Sequence, residues 1–194
     1  RCMYYMGVYY SLSDSLERAN YCLDVAAQEA KVQKDTATLC LVWSKNSWVV
    51  RKTNAPLGLK YASQALAVYR KYSQATPLNT IYYILLKGEC ERLCGKNQEA
   101  LSGSKEAERI ALALGDSVTL SNVYQDMSYF AAGAHDAKAV HYGLLSRSYS
   151  SVNNIDKTLS LAGAYYETGQ YAACLNLLDT LQMKDNSQRY AAYK

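Results

Sequence analysis

This chain has little of what most enzymes use for chemistry. Of 194 residues only two are histidine, two are proline and one is phenylalanine. His135 and His141 stand six residues apart, on different faces of any helix that holds them both. No Gly-x-Ser-x-Gly elbow, phosphate-cradling glycine loop or His-Glu-x-x-His motif occurs. Glu89 and Glu91 are two apart on a helical stretch and point in different directions, which makes a poor acid–base pair. These absences predict no enzyme, no catalytic residue and no cofactor.

Cys-x-x-Cys is missing as well. The cysteines Cys2, Cys22, Cys40, Cys90, Cys94 and Cys174 each sit in an apolar helical pattern. Cys90 and Cys94 are one helical turn apart, but two ligands do not close a zinc site and no histidine is near. The expectation is packed, inert thiols and no metal. Free thiols favour a reducing, cytoplasmic setting, while a sensor segment in the cell envelope is the alternative. No five like charges run together, and the formal charge is only +4. Arg51-Lys52 and Arg70-Lys71 read as solvated helix surface, so nucleic acid is not an expected partner. No apolar run nears the roughly 18–20 residues of a membrane span, so the segment itself is expected to have no membrane partner. The chain starts in a helix-like stretch at Arg1-Cys2-Met3 without an initiator Met. It ends in another, Ser187 to Lys194, which reads as a segment of a longer protein.

What is present is a period. Ala19, Gly58, Ala100, Ala139 and Cys174 are small residues spaced 39, 42, 39 and 35 apart. Periods of this size mark stacked supersecondary units. Turn signals divide the chain into units of about 1–34, 35–75, 77–115, 116–153 and 155–184 within one repeat domain, 1–194. In the first, Ser13 or Asp14 caps the second helix, with Glu17 placed for a capping box. Leu16, Ala19, Leu23, Ala26 and Ala30 draw its apolar stripe. Asp35 or Thr36 opens the second unit, and Pro56 suits the first turn of its second helix. That helix's stripe is Leu59, Ala62, Ala65, Leu66 and Tyr69. In the third unit Ala100, Leu101, Ser104, Ala107, Ile110 and Ala111 face inward, and Gly115 stops the helix before Asp116-Ser117. Further turns fall at Gly133-Ala134-His135-Asp136 and Thr168-Gly169-Gln170. No strand alternation or low-complexity segment appears. The fold class is all-α: a right-handed α–α superhelix, or solenoid, of about five helix pairs.

The pattern of small, aromatic and glycine positions resembles the tetratricopeptide repeat. It is carried by Gly7, Tyr10, Ala19, Leu23 and Ala26 in the first unit and by Gly88, Gly95, Ala100, Ser104 and Ala107 in the third. In the fifth it is carried by Ala162, Tyr165, Gly169, Cys174 and Leu178. Glu91 stands where an aromatic is usual and Asn46 where glycine is usual. The period exceeds the roughly 34 residues of the standard unit. It resembles the longer-helix variant found in bacterial signalling proteins, where such arrays precede a histidine-kinase or DNA-binding output domain.

The resemblance implies a concave groove lined by the first helix of each pair. Carried over by register, the groove residues are Tyr4, Val8 and Ser11 in the first unit, then Trp43, Ser47 and Arg51 in the second. The third supplies Tyr82, Leu85, Glu89 and Arg92, the fourth Tyr124 and Ser128, the fifth Tyr166 and Glu167. The second and fourth registers stay open by one residue, and Trp43 and Tyr124 fit an interhelical core equally well. Arg51 and Arg92 suit either a bidentate carboxylate clamp or pairing with Glu89 or Glu91. Nineteen tyrosines against one phenylalanine fit a thin core whose rings keep a hydroxyl near water, or an aromatic binding face. The expected function is a non-catalytic module that binds a peptide or partner helix. The alternatives are a sensor or dimerisation region of a bacterial regulator or histidine kinase, with self-association as output, and a small-molecule or glycan platform.

Overall fold

The computed structural model describes residues 1–13, 15–150 and 154–180. Among the described residues there are ten α-helices and no strand: α1 (Cys2–Leu12), α2 (Leu16–Val32), α3 (Thr36–Val50), α4 (Ala55–Tyr69), α5 (Pro77–Leu93), α6 (Asn97–Leu114), α7 (Ser117–Gly133), α8 (Lys138–Ser148), α9 (Ile155–Glu167) and α10 (Tyr171–Asp179). Asp14 with its capping box, the end of the fifth unit and the stretch Ser187–Lys194 lie outside the described residues.

Short polar side chains set the helix starts. Asp35 accepts from the Thr38 N–H at 3.0 Å and Asn54 from the Leu57 N–H at 3.1 Å. Asp116 accepts from the Val118 N–H at 3.0 Å and Asn154 from the Lys157 N–H at 3.2 Å. Each satisfies an amide that the first turn leaves without a helical partner. Pro56 and Pro77 sit in first turns, where a missing N–H costs nothing. Five stops use the left-handed region. Gly95, Gly115 and Gly169 adopt it, and so, at greater cost, do Lys34 at φ 53° and His135 at φ 52°.

The chain forms two compact units, Arg1–Ile110 and Ala111 onward, divided within α6. In the first, consecutive helices pack from α1 to α5, and the odd-numbered helices also touch, α1 to α3 and α3 to α5. Ala19, Leu23, Ala26, Ala27, Val42, Val49 and Val50 form its main core, with Met3, Tyr4, Tyr10 and Leu57 packed against it. A smaller cluster joins Ala62, Leu86 and Cys90. In the second unit α7 touches α8 and α9, α8 touches α9, and α9 touches α10. Leu120, Val123, Met127, Phe130 and Leu161 are its large buried side chains. All five periodic small residues, Ala19, Gly58, Ala100, Ala139 and Cys174, are buried. At Gly58 the contact is with backbone: a Cβ there would lie 2.9 Å from the Arg51 Cα.

Asn46 is 1 % exposed in the middle of α3, a helix that runs on to Val50, and the turn follows at Arg51–Asn54. Burial pushes the Cys40 thiol up to about 11 and also raises Cys90, which shares a 3.2 Å hydrogen bond with Ser47. Among the described residues no group of three or more His, Cys, Asp or Glu is placed to hold a metal, and no helix is long and apolar enough to cross a membrane.

Candidate functional site

In the first unit, α1, α3 and α5 present one face to a cleft of about 420 Å³. Tyr4 enters from α1. Leu41, Ser44, Lys45 and Trp48 come from α3, and Asn79, Tyr82 and Tyr83 from α5. The α3 residues recur at three- and four-residue spacing, so they form one stripe of that helix. Large apolar groups stay open to solvent here: Leu41 is 47 % exposed, Trp48 43 % and Tyr82 48 %.

The cleft's charge has one sign. Lys45 Nζ lies 4.6 Å and Arg51 Cζ 4.5 Å from the Trp48 ring centre, so two cations flank one indole. Arg51 also donates to the Trp48 carbonyl. Among the described residues neither cation forms an ion pair with a carboxylate, and no acidic residue lines the cleft. Burial, and then the Arg51 charge, hold Lys45 below the usual lysine range. Burial, with Tyr82 and Tyr5 adding to it, raises the Tyr4 phenol, and burial raises Tyr83 further. These rings act at neutral pH as hydrogen-bonding phenols.

The groove residues expected from the sequence fall into three groups. Tyr4 and Tyr82 line the cleft. Val8, Leu85, Glu89 and Arg92 are half-buried, and Tyr166 and Glu167 are exposed on α9. Ser11, Trp43, Ser47, Tyr124 and Ser128 turn inward, and their placement on an open groove face is corrected here. Ser11 Oγ donates to the Val8 carbonyl at 2.7 Å, and Trp43 and Ser47 are 8 % and 0 % exposed. Tyr124 stacks on Tyr142 and Tyr149, and Ser128 Oγ donates to the Ala139 carbonyl at 2.8 Å. On both α3 and α7 the open side chains lie one residue further on, at Trp48 and Tyr129. One residue turns a helix by about 100°, enough to exchange core for surface.

The two arginines differ. Arg92 forms a bidentate pair with Glu89, at 2.8 and 2.9 Å, so its fork is already occupied. Arg51 faces Trp48. Glu91, 7 % exposed, pairs with Lys87 one turn earlier. Sequence reasoning missed Leu41, Ser44, Lys45, Trp48, Asn79 and Tyr83. The available signal was the Leu41–Lys45–Trp48 spacing, one helical stripe in the unit whose register stayed open by one residue.

Helix pairs built on small crossing residues, with a cleft across successive first helices, define a tetratricopeptide-like α-solenoid. Comparison with solved structures shows the same fold. RapI in its apo form superposes with a TM-score of 0.76 at 13 % identity, over 98 % of this chain and 56 % of that one. A Podosopora anserina kinesin light chain candidate with nearly identical TPR-like repeats gives 0.78 at 14 %, over 93 % and 92 %. The Rap conjugation gene regulator of plasmid pLS20, in complex with the Phr* peptide, gives 0.69 at 16 %, over 91 % and 50 %. The chain thus spans about half the length of the two Rap proteins. No protein-family model and no curated protein matches it.

Proposed function

We propose that the cleft of α1, α3 and α5 is a non-catalytic peptide-binding groove. The observation that carries this reading is the set of three exposed apolar side chains beside two cations that have no carboxylate partner among the described residues. Leu41, Trp48 and Tyr82 suit one large apolar side chain of the peptide, and Lys45 and Arg51 suit a neighbouring carboxylate. Asn79 adds an amide that both donates and accepts, for the peptide backbone. The pLS20 Rap protein, which shares the fold, holds a peptide. Its likeness supports the class of ligand and not a particular sequence.

The test is selection of a random peptide library on the folded protein, with a Trp48→Ala/Tyr82→Ala variant as counter-target. Enriched peptides should pair a large apolar residue with an acidic one and bind the variant at least about 30-fold more weakly, the scale of losing a hot-spot contact. No enrichment, or equal binding to the variant, overturns the reading.

A second reading comes from the half-length match to the two Rap chains. In it the groove belongs to a regulator, and peptide occupancy changes its association. Equal sedimentation of the protein with and without a selected peptide would remove that reading and leave the first intact.

A further inference from the structure

Trp43 has an environment of its own. It is five residues before Trp48 on α3, roughly 140° around the helix, and so faces away from the groove. There it forms part of a second cleft, of about 240 Å³, lined from α2 by Asp24, Ala27, Gln28 and Lys31 and from α4 by Lys60, Tyr61 and Gln64. The α2 residues fall at spacings of three, one and three, a single stripe of that helix.

The polar groups of this cleft are not equally committed. Asp24 Oδ1 accepts from Asn46 Nδ2 and from the Tyr61 hydroxyl, each at 3.3 Å, so this oxygen is already engaged by two neutral donors. Lys31 Nζ lies 5.5 Å from the Trp43 ring centre, and among the described residues neither Lys31 nor Lys60 is ion-paired. Among the described residues Gln28 and Gln64 form no side-chain hydrogen bond. The cleft is therefore lined by the Trp43 and Tyr61 rings, two lysines, two amides and the Asp24 carboxylate.

We infer that this cleft binds a small organic carboxylate with a flat, ring-sized body. The carboxylate lies between the Lys31 and Lys60 ammonium groups and accepts from the Gln28 and Gln64 amides. The body packs against Trp43, Tyr61 and Ala27, in a space that holds one ring and not a folded chain. Lys31 moves from the indole toward the carboxylate, which couples occupancy to the surroundings of Trp43. The site is separate from the groove, so either can fail without the other.

The experiment uses the Trp48→Phe protein, in which Trp43 is the one tryptophan left, and follows its fluorescence during titration with benzoate. Benzamide, the neutral compound of the same shape, is the control. Benzoate should give a saturable change, and benzamide should bind at least tenfold more weakly. Lys31→Met and Lys60→Met, both surface substitutions checked for unchanged circular dichroism, should each weaken benzoate at least fivefold. Raising the salt should weaken benzoate and not benzamide. A linear, unsaturable response overturns the inference, and so does equal binding of benzamide or indifference to both lysine substitutions.

Discussion

At Gly58 the backbone of Arg51 comes so near that even one methyl group does not fit. The atom in the way is a Cα, which cannot swing aside, whereas at Gly7 a new Cβ would first meet the side chain of Leu23. Gly58→Ala is therefore expected to destabilise the protein by about 1–3 kcal/mol in urea unfolding, in spite of alanine's better helix propensity. A neutral result would contradict the crossing. The opposite sign is expected at Lys34 and His135, which hold a left-handed backbone without being glycine. Replacing either with Gly should add about 1 kcal/mol, read in the same experiment. Residues of this kind were legible in part. The periodic small positions stood out because close approach admits little else. Trp43 and Trp48 did not, because both fit an apolar helical pattern, and that pattern does not tell which one faces outward.

Helix starts were the most legible elements. Asp35, Pro56 and Asp116 do what their chemistry suggests, because a cap is a local matter. Two of these caps predict a pH dependence. The Thr38 hydroxyl and N–H hold the Asp35 carboxyl below its ordinary value of 3.8, and Thr119, through its hydroxyl first, does the same for Asp116. Since the folded values are lowered, this stability is fully present above the ordinary value and is lost as pH falls through the folded ones. The melting temperature should drop between about pH 5 and pH 2.5, and less steeply in an Asp35→Asn/Asp116→Asn variant, which keeps the cap acceptors but not the charge. Parallel curves would remove the caps from the account. Between helices the sequence was silent on Lys157. Buried on α9, it reaches Asn122 Oδ1 at 2.7 Å, Gln125 Oε1 at 2.6 Å and the Ser121 carbonyl at 3.3 Å, all on or beside α7. Lys157 should resist amine-reactive labelling in the folded protein while exposed Lys60 reacts, as peptide mass spectrometry would show. A lysine at a helix start reads as surface until its partners, more than thirty residues away, are known.

For the whole molecule, the fold followed from the recurrence of small residues, which each pair needs in order to close. The groove did not follow from it with the same resolution. Fold depends on which residues are small and apolar, and a one-residue slip leaves most of that pattern in place. A binding face depends on which side of each helix is open, and the same slip turns it by about 100°. Tyr4 and Tyr82 line the cleft, on α1 and α5, which begin and end near their expected places. The α3 lining differs from the expected residues because the register of that unit was open by one residue. The abundance of tyrosine serves both readings raised by the composition: Tyr83 and Tyr124 are packed rings, while Tyr82 and Tyr166 are open ones.

The most direct measurement is a fluorescence titration of the Trp43→Phe protein, whose remaining tryptophan is Trp48, with a peptide enriched from the library. Peptide binding in the α1–α3–α5 groove predicts a saturable change, lost in the Tyr82→Ala background and weakened by Lys45→Met. Binding that leaves Trp48 unchanged, and instead alters Trp43 in the Trp48→Phe protein, would contradict it.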